Sequence, residues 1–416
     1  MKALPRDAPW HVDEGIPASL PLLQEFVSDF RDSLVDLRQC AAVLVQHQLG
    51  SMIPLLEALF ALGLHPEKTH WIDVPYSSNL VVRNAVGALG VPSHNFAPSK
   101  FVFGDDLAEY QISRVRRSVE KAGRQAPGSL LVLDDGAYAL QALALSGQIP
   151  IDLRIIEQTA RGMALLQTNS SLHRLAESVT VVDVAESIPK KQLEPRYIAR
   201  SILLSIISRV SEHLQFQQAN ILVLGFGSIG QAVCQELRTW GVPTSHVLVV
   251  DPHPPRQVLA RSEGFKAFGE LSVHKIRGVH LVFGCSGTLS FQASNISSLA
   301  ATAYLASASS GQYEFPILEL LSLGKNPMAA DRIGIHDDLS IDFGDGRRIV
   351  VMNGGFPANF DGKVNNLPPQ FAQFTRVLML AAAVQAMSTG KVGIQPLAAA
   401  TSTWVLQKHE SYFGHI

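Results

Sequence analysis

The residues best placed to do chemistry are Gly225-Phe226-Gly227-Ser228-Ile229-Gly230, which follow the apolar run Asn220–Leu224 and open a helix-like segment, Gln231–Trp240. In a strand–loop–helix unit the first glycine permits a tight turn. The second lets a pyrophosphate approach the backbone, and the third lets the helix pack closely on the strand. Ser228 and Ile229 lie at the helix start, where free N–H groups and the positive dipole end suit phosphate. Asp251 closes the next apolar run, VLVVD. Its spacing from the glycines suits a carboxylate that accepts hydrogen bonds from an adenosine ribose and repels a 2′-phosphate. The pattern points to a dinucleotide, with NAD preferred. His253 and Arg256 leave NADP open, with Arg256 a further candidate contact. A Rossmann-type domain kept for packing alone would carry the same pattern.

The elements around this loop read as β/α alternation. Strand-like runs occur at AAVLVQ after Cys40, at WIDVP, at Val91–Phe96, Ser129–Leu133, Ile151–Ile156 and Val179–Val184. Helix-like segments cover Leu20–Leu37, Ser51–Leu62, a stretch through Val86, Arg114–Ala122 and Tyr197–Gln215. A second set of strands follows at Asn220–Leu224, His246–Asp251, Val279–Phe283 and Ala303–Leu305. After it come a strand-rich return over Asp331–Val351 and an apolar helix over Phe374–Met387. This order implies an open α/β sheet architecture. At 416 residues the chain has room for two or three domains. Its net charge of −2 has no basic stripe to meet nucleic acid. No apolar run is long enough to span a membrane, and MKALPRDAPWHVDEG lacks the apolar segment of a signal peptide. Three cysteines without CxxC spacing argue against a disulfide framework and against a zinc site, so no metal is expected. A cytoplasmic protein acting on a small molecule is the expectation.

Placing some 200 residues of α/β sequence before the fingerprint resembles the S-adenosylhomocysteine hydrolase (adenosylhomocysteinase) family, over about residues 40–380, and local motifs match. His47 and the segment ending LEALFALG resemble the family's His-Met-Thr segment and ETLVALG helix. LDDG at Leu133–Gly136 is similar to LDDGGD, and EQTARG at Glu157–Gly162 to EETTTG. Lys190, ahead of Tyr197 and Arg200, fits the catalytic lysine segment. GFGSIG corresponds to GYGDVG, Gly284-Cys285-Ser286-Gly287 to TTTG, and GFPANF around Asn359 to GRLVNL.

In that family bound NAD oxidises the ribose 3′-hydroxyl, the ketone acidifies the C4′ proton, the 5′-thiol leaves, water adds, and the ketone is reduced back. The resemblance implies that Lys190 assists deprotonation of the hydroxyl, which requires its pKa to be drawn down. Asp135 would move the proton at the reacting carbon, and His47 would handle the leaving group or water. Glu194 would stand where the family has the acid after the lysine. Thr159, Asn359, Ser286, Gly287 and Ser309 would hold the cofactor. Each residue also has a structural role open to it: Asp135 and Thr159 as caps, Lys190 beside Lys191 as a solvated lysine, His47 as a hydrogen-bonded core histidine.

The departures fall mainly on the substrate side. The adenine readers are replaced by Leu49 and Ser51, the second acid of EETTTG by Gln158, and an Asp-Asn pair by Glu194-Pro195. SASSGQ replaces the NIGH turn, with Ser310 where a histidine is expected, and the GHPS segment is missing, with Asn365 and Asn366 near its place. The tail that supplies a lysine and a tyrosine to a neighbouring protomer ends here in ESYFGHI, with Tyr412 a partial echo. A pocket that loses polar readers loses several kcal/mol of discrimination, so Leu49, Ser51 and Gln158 would meet a different substrate.

The expected function is therefore an NAD-dependent enzyme oxidising a secondary alcohol, transiently or as a net reaction, on a substrate other than S-adenosylhomocysteine. The alternatives are a hydrolase proper and a catalytically silent NAD-binding subunit. The expected fold is α/β, with a Rossmann domain (198–346) inserted into a discontinuous α/β substrate domain (1–197 and 347–388). Hinges are expected near Arg196–Ser201 and Asp345–Ile349. A tail, 389–416, is expected to pack on a partner protomer, the assembly being a homodimer or homotetramer.

Overall fold

The computed structural model describes residues 10, 12, 15–31, 35–126, 128–146, 152–325 and 332–413. Residues 32–34 of the expected first helix, Ile151, Asp331, the end of ESYFGHI and most of MKALPRDAPWHVDEG lie outside them. The chain forms two compact units. One holds the described residues of His11–Phe101, Asp106–Glu194 and Gly362–Ile416. The other holds those of Val102–Asp105 and Pro195–Asp361, with Trp10.

The strands are β1 (Cys40–Gln46), β2 (Thr69–Asp73), β3 (Phe96–Ala97), β4 (Ser129–Asp134), β5 (Asp152–Glu157), β6 (Thr180–Asp183), β7 (Ile221–Leu224), β8 (Val247–Val250), β9 (Lys266–Phe268), β10 (Leu281–Gly284), β11 (Thr302–Ser307), β12 (Leu339–Asp342), β13 (Arg348–Val351) and β14 (Gly393–Pro396). They make two seven-stranded sheets, ordered β14-β6-β5-β4-β1-β2-β3 and β12-β13-β11-β10-β7-β8-β9.

Every pairing in the first sheet is parallel. A parallel sheet is covered on both faces, and its strands read as continuous apolar runs. β1, CAAVLVQ, is buried at every position for this reason. The order changes direction between β1 and β4, and the crevice beyond the carboxyl ends of those strands is where ligands of open α/β sheets bind.

The second sheet is parallel except for its edge strand β12, which runs antiparallel to β13. From β9 through β13 its order is the doubly wound 3-2-1-4-5-6 of dinucleotide-binding folds. Val223 and Phe283 on the strands, with Val233 and Leu237 of the helix Ser228–Thr239, are buried in one core cluster.

Three boundaries differ from expectation. The Rossmann unit runs to Asp361 rather than 346, because β13 pairs with β11 and extends the sheet. The unit boundaries fall at Glu194/Pro195 and Asp361/Gly362. The first lies inside the helix Ile188–Val210, which starts earlier than the expected Tyr197 and carries Pro195 in its interior. A proline there removes one backbone hydrogen bond and clashes with the preceding turn, which weakens the helix locally. Finally, the tail is not separate. β14 pairs with β6 as an edge of the first sheet. In the helix Ala399–Phe413, Trp404 donates to Asp29 at 2.9 Å, and Lys408 and Tyr412 bind Glu25, all within one chain.

Candidate functional site

In the Rossmann unit the three fingerprint glycines meet different surroundings. Gly225 has φ +93°, and a Cβ on it would meet the Cys285 carbonyl oxygen at 2.8 Å, so the loop lies directly against the turn after β10. A Cβ on Gly230 would meet the Gly225 oxygen at 2.0 Å. Gly227 has ordinary backbone angles, φ −72° and ψ −168°, and among the described residues nothing lies within 4 Å of where its Cβ would be. The chain itself therefore demands Gly225 and Gly230 but not Gly227. Open space over this glycine fits a phosphate group approaching the backbone. Ser228 and Ile229 begin the helix, which has no side-chain cap, so its dipole end faces the same space.

Asp251 stands at the end of β8 and is almost fully buried. Its Oδ2 accepts the Phe226 N–H at 2.7 Å and its Oδ1 the His253 N–H at 2.8 Å, which ties the glycine loop to β8. Arg256 lies 3.4 Å from the same carboxylate and is half exposed.

The turn after β10 is organised by Glu314, which the sequence pattern did not single out. Its fully buried carboxylate accepts the N–H groups of Ser286 and Gly287 at 2.6 Å each, and the hydroxyls of Ser286 at 2.8 Å and Ser309 at 2.6 Å. Gly284 makes room for it, since a Cβ there would meet the Glu314 side chain at 2.6 Å. Three residues expected to hold cofactor thus converge on one carboxylate of the chain. Asn359, in the same unit, is 5% exposed, and neither its Oδ1 nor its Nδ2 has a hydrogen-bond partner among the described residues. A buried carboxamide with both ends unfilled is costly unless a ligand completes it.

In the other unit the C-terminal ends of adjacent strands β1, β4 and β5 bring together His47, Asp135 and Gln158. His47 Nδ1 lies 2.7 Å from Ser77 Oγ, and its Nε2 lies 3.6 Å from Asp135 Oδ2. Burial lowers the His47 pKa, with Asp135 opposing, so the ring is held neutral. Gln158 Nε2 donates to Asp135 and to Gln46 Oε1, while its buried Oε1 has no partner among the described residues.

Asp134, not Asp135, takes the capping position, accepting the N–H groups of Asp135, Tyr138 and Ala139 at 2.9, 3.2 and 2.8 Å. Glu157, opposite it in register, accepts from Gly136, Ala137 and Thr159. Thr159 acts as a helix cap: its hydroxyl donates to Glu157 at 2.6 Å and accepts from the Gly162 N–H at 3.0 Å. Burial, with repulsion from Asp135, raises Asp134 to about 7, and burial, with repulsion from Asp134, raises Glu157 to about 8.

Lys190 is not a solvated surface lysine. Its Nζ pairs with Glu194 at 2.7 Å, and Glu194 also accepts from Thr375 Oγ1 at 3.0 Å. Leu49 and Ser51 are buried, and Ser51 Oγ accepts from the Nε of a second unforeseen residue, Arg376, at 3.1 Å. Arg376 was visible in the sequence as the charge interrupting the last apolar helix. Glu314 carried no such signal.

No family model matches the chain. It is similar to two uncharacterized proteins of Mycobacterium tuberculosis, strains CDC 1551 / Oshkosh and ATCC 25618 / H37Rv, each 26% identical over 324 residues. Those matches cover 77% of this chain but 59% of the relatives, so the chain spans less than two thirds of their length. Among solved structures it is similar to a dipicolinate synthase polypeptide from Bacillus halodurans (TM-score 0.41, 10% identity, covering 85% of this chain and 99% of that one). It is also similar to the NAD-complexed D-isomer specific 2-hydroxyacid dehydrogenase from Lactobacillus delbrueckii ssp. bulgaricus (TM-score 0.38, 9% identity, covering 84% and 97%). At these values the fold rests on the chain's own strand order and register. No described helix is long and apolar enough to cross a membrane.

Proposed function

We propose that the protein is an NAD-dependent enzyme of adenosylhomocysteinase type that oxidises a secondary alcohol, transiently or as a net reaction, on a substrate other than S-adenosylhomocysteine. The observation that carries this reading is the glycine loop. Within a 3-2-1-4-5-6 sheet, Gly227 leaves space that no described residue fills, beside an acid at the end of β8. The unfilled carboxamide of Asn359 supports it. Bound there, NAD would supply a hydride acceptor for a carbinol carbon.

The chain's own part is proton handling and orientation. The Lys190–Glu194 pair would receive the alcohol proton. The neutral imidazole of His47 and the Asp135 carboxylate form a second relay, with Ser77 fixing the ring. Leu49 and Ser51 offer none of the charged recognition that an adenine-reading acid would give.

The test is titration calorimetry with NAD and NADP, followed by absorbance of any cofactor released on denaturation. Tight NAD binding is expected, with Lys190→Ala slowing turnover about a hundredfold or more at unchanged NAD affinity. Failure to bind NAD, or full activity on S-adenosylhomocysteine, would overturn the reading. A silent NAD-binding role is favoured by one observation: Ser286, Gly287 and Ser309 are turned onto Glu314. That alternative predicts tight NAD binding with no redox change for any alcohol.

A further inference from the structure

The helix Pro369–Ser388 is buried along most of its length, and Arg376 sits within it at 7% exposure. Its guanidinium donates to Ser51 Oγ and, through a terminal nitrogen, to the Met379 sulfur at 3.3 Å. One partner is a neutral hydroxyl and the other a weak acceptor. Among the described residues no carboxylate lies within 4.0 Å of it. The two acids that attract it most are committed elsewhere: Glu194 to Lys190 and Thr375, Asp135 to Gln158 and His47. Burial lowers the Arg376 pKa to about 10, which leaves it charged at neutral pH.

A buried cation without a counter-ion is costly and is ordinarily paired. Its planar fork suits two-point binding of a carboxylate. The Lys190–Glu194 pair neutralises itself, and Asp135 attracts the guanidinium without contacting it, so Arg376 lacks a direct counter-ion, and the charge of Asp135 nearby favours a monoanion over a phosphate dianion. In the same cluster the buried Gln158 Oε1 awaits a donor such as a hydroxyl.

We propose that Arg376 and Ser51 bind the carboxylate of a hydroxy acid, and that Gln158 receives its hydroxyl beside Asp135 and His47. The inference rests on reading this cluster as the substrate site, and it narrows the substrate class to hydroxycarboxylates.

The full-length protein would be titrated by calorimetry with glycolate and lactate, with ethylene glycol and propane-1,2-diol as uncharged counterparts and inorganic phosphate as a third arm. The same titrations would be run on Arg376→Gln and Arg376→Lys. At least one hydroxycarboxylate is expected to bind in preference to its diol. Affinity should fall about tenfold to a hundredfold in Arg376→Gln and less in Arg376→Lys. Without ligand, Arg376→Gln is expected to be at least as stable as the parent, since it removes an unpaired buried charge, whereas a structural arginine would make the variant less stable. Binding of none of the acids, equal binding by Arg376→Gln, or preference for phosphate would overturn the proposal. NAD affinity, measured in parallel, separates the two readings: its loss with carboxylate binding intact would sink the oxidoreductase reading and leave this one standing.

Discussion

Asp134 and Glu157 face each other across β4 and β5, and their oxygens accept from backbone N–H groups and, for Glu157, from the Thr159 hydroxyl. Two carboxylates this close cannot both ionise without penalty, and their folded-state pKa values, about 7 and about 8, lie above the ordinary carboxylate range. The native protein therefore holds more protons than the unfolded chain from about pH 4 upward. Stability from this pair is complete below that pH and is lost as pH rises through about 7 to 8. Urea midpoints measured from pH 5 to 8 should fall with rising pH. Glu157→Gln should flatten that slope while lowering stability by about 1–3 kcal/mol, because an amide NH2 would then face backbone donors. A parent midpoint that climbs over the same range would sink the shared-proton account.

At the scale of the element, the glycine loop separates fold from function within six residues. Gly230→Ala places a Cβ against the Gly225 oxygen and should cost about 3 kcal/mol or prevent folding. Gly227→Ala meets no atom of the described residues, so its melting curve should change by no more than about 1 kcal/mol. Its NAD affinity should nevertheless fall at least about tenfold, because the methyl group occupies the space expected for the pyrophosphate. Equal NAD binding by parent and Gly227→Ala in calorimetry would remove the assigned role of that glycine. The helix Ile188–Val210 makes a comparable division: its first turns carry Lys190 and Glu194, and beyond Pro195 it belongs to the Rossmann unit.

For the molecule as a whole, the last helix closes the first unit upon itself. The Trp404 ring packs edge-on to Phe26 and Phe30 at 5.4 and 6.0 Å, and its indole N–H binds Asp29. Trp404→Ala should lower unfolding stability by about 2 kcal/mol without changing the mass seen by light scattering. A tail exchanged between protomers would show the opposite pattern, a changed mass at little cost to the monomer.

The sequence by itself determined the local chemistry. Apolar runs of strand length gave most of the buried parallel strands, and GFGSIG with Asp251 marked a dinucleotide-type loop. These are properties of neighbours along the chain: side-chain periodicity, turn conformation and the dipole of one helix. The short strands β9 (KAF) and β14 (GIQP) were not legible, because unlike the equally short β7 and β8 they are not apolar runs.

Strand order is a property of distant segments, and only the tertiary structure decided it. It set the ends of β1, β4 and β5 side by side, so that His47, Asp135 and Gln158 meet. It also carried residue 376 to residue 51 and residue 314 to the turn after β10. A buried charge is defined by what surrounds it, and those surroundings come from three or four separate stretches of chain. For that reason the glycine loop could be read directly, while the surroundings of Arg376 and Glu314 emerged only from the fold.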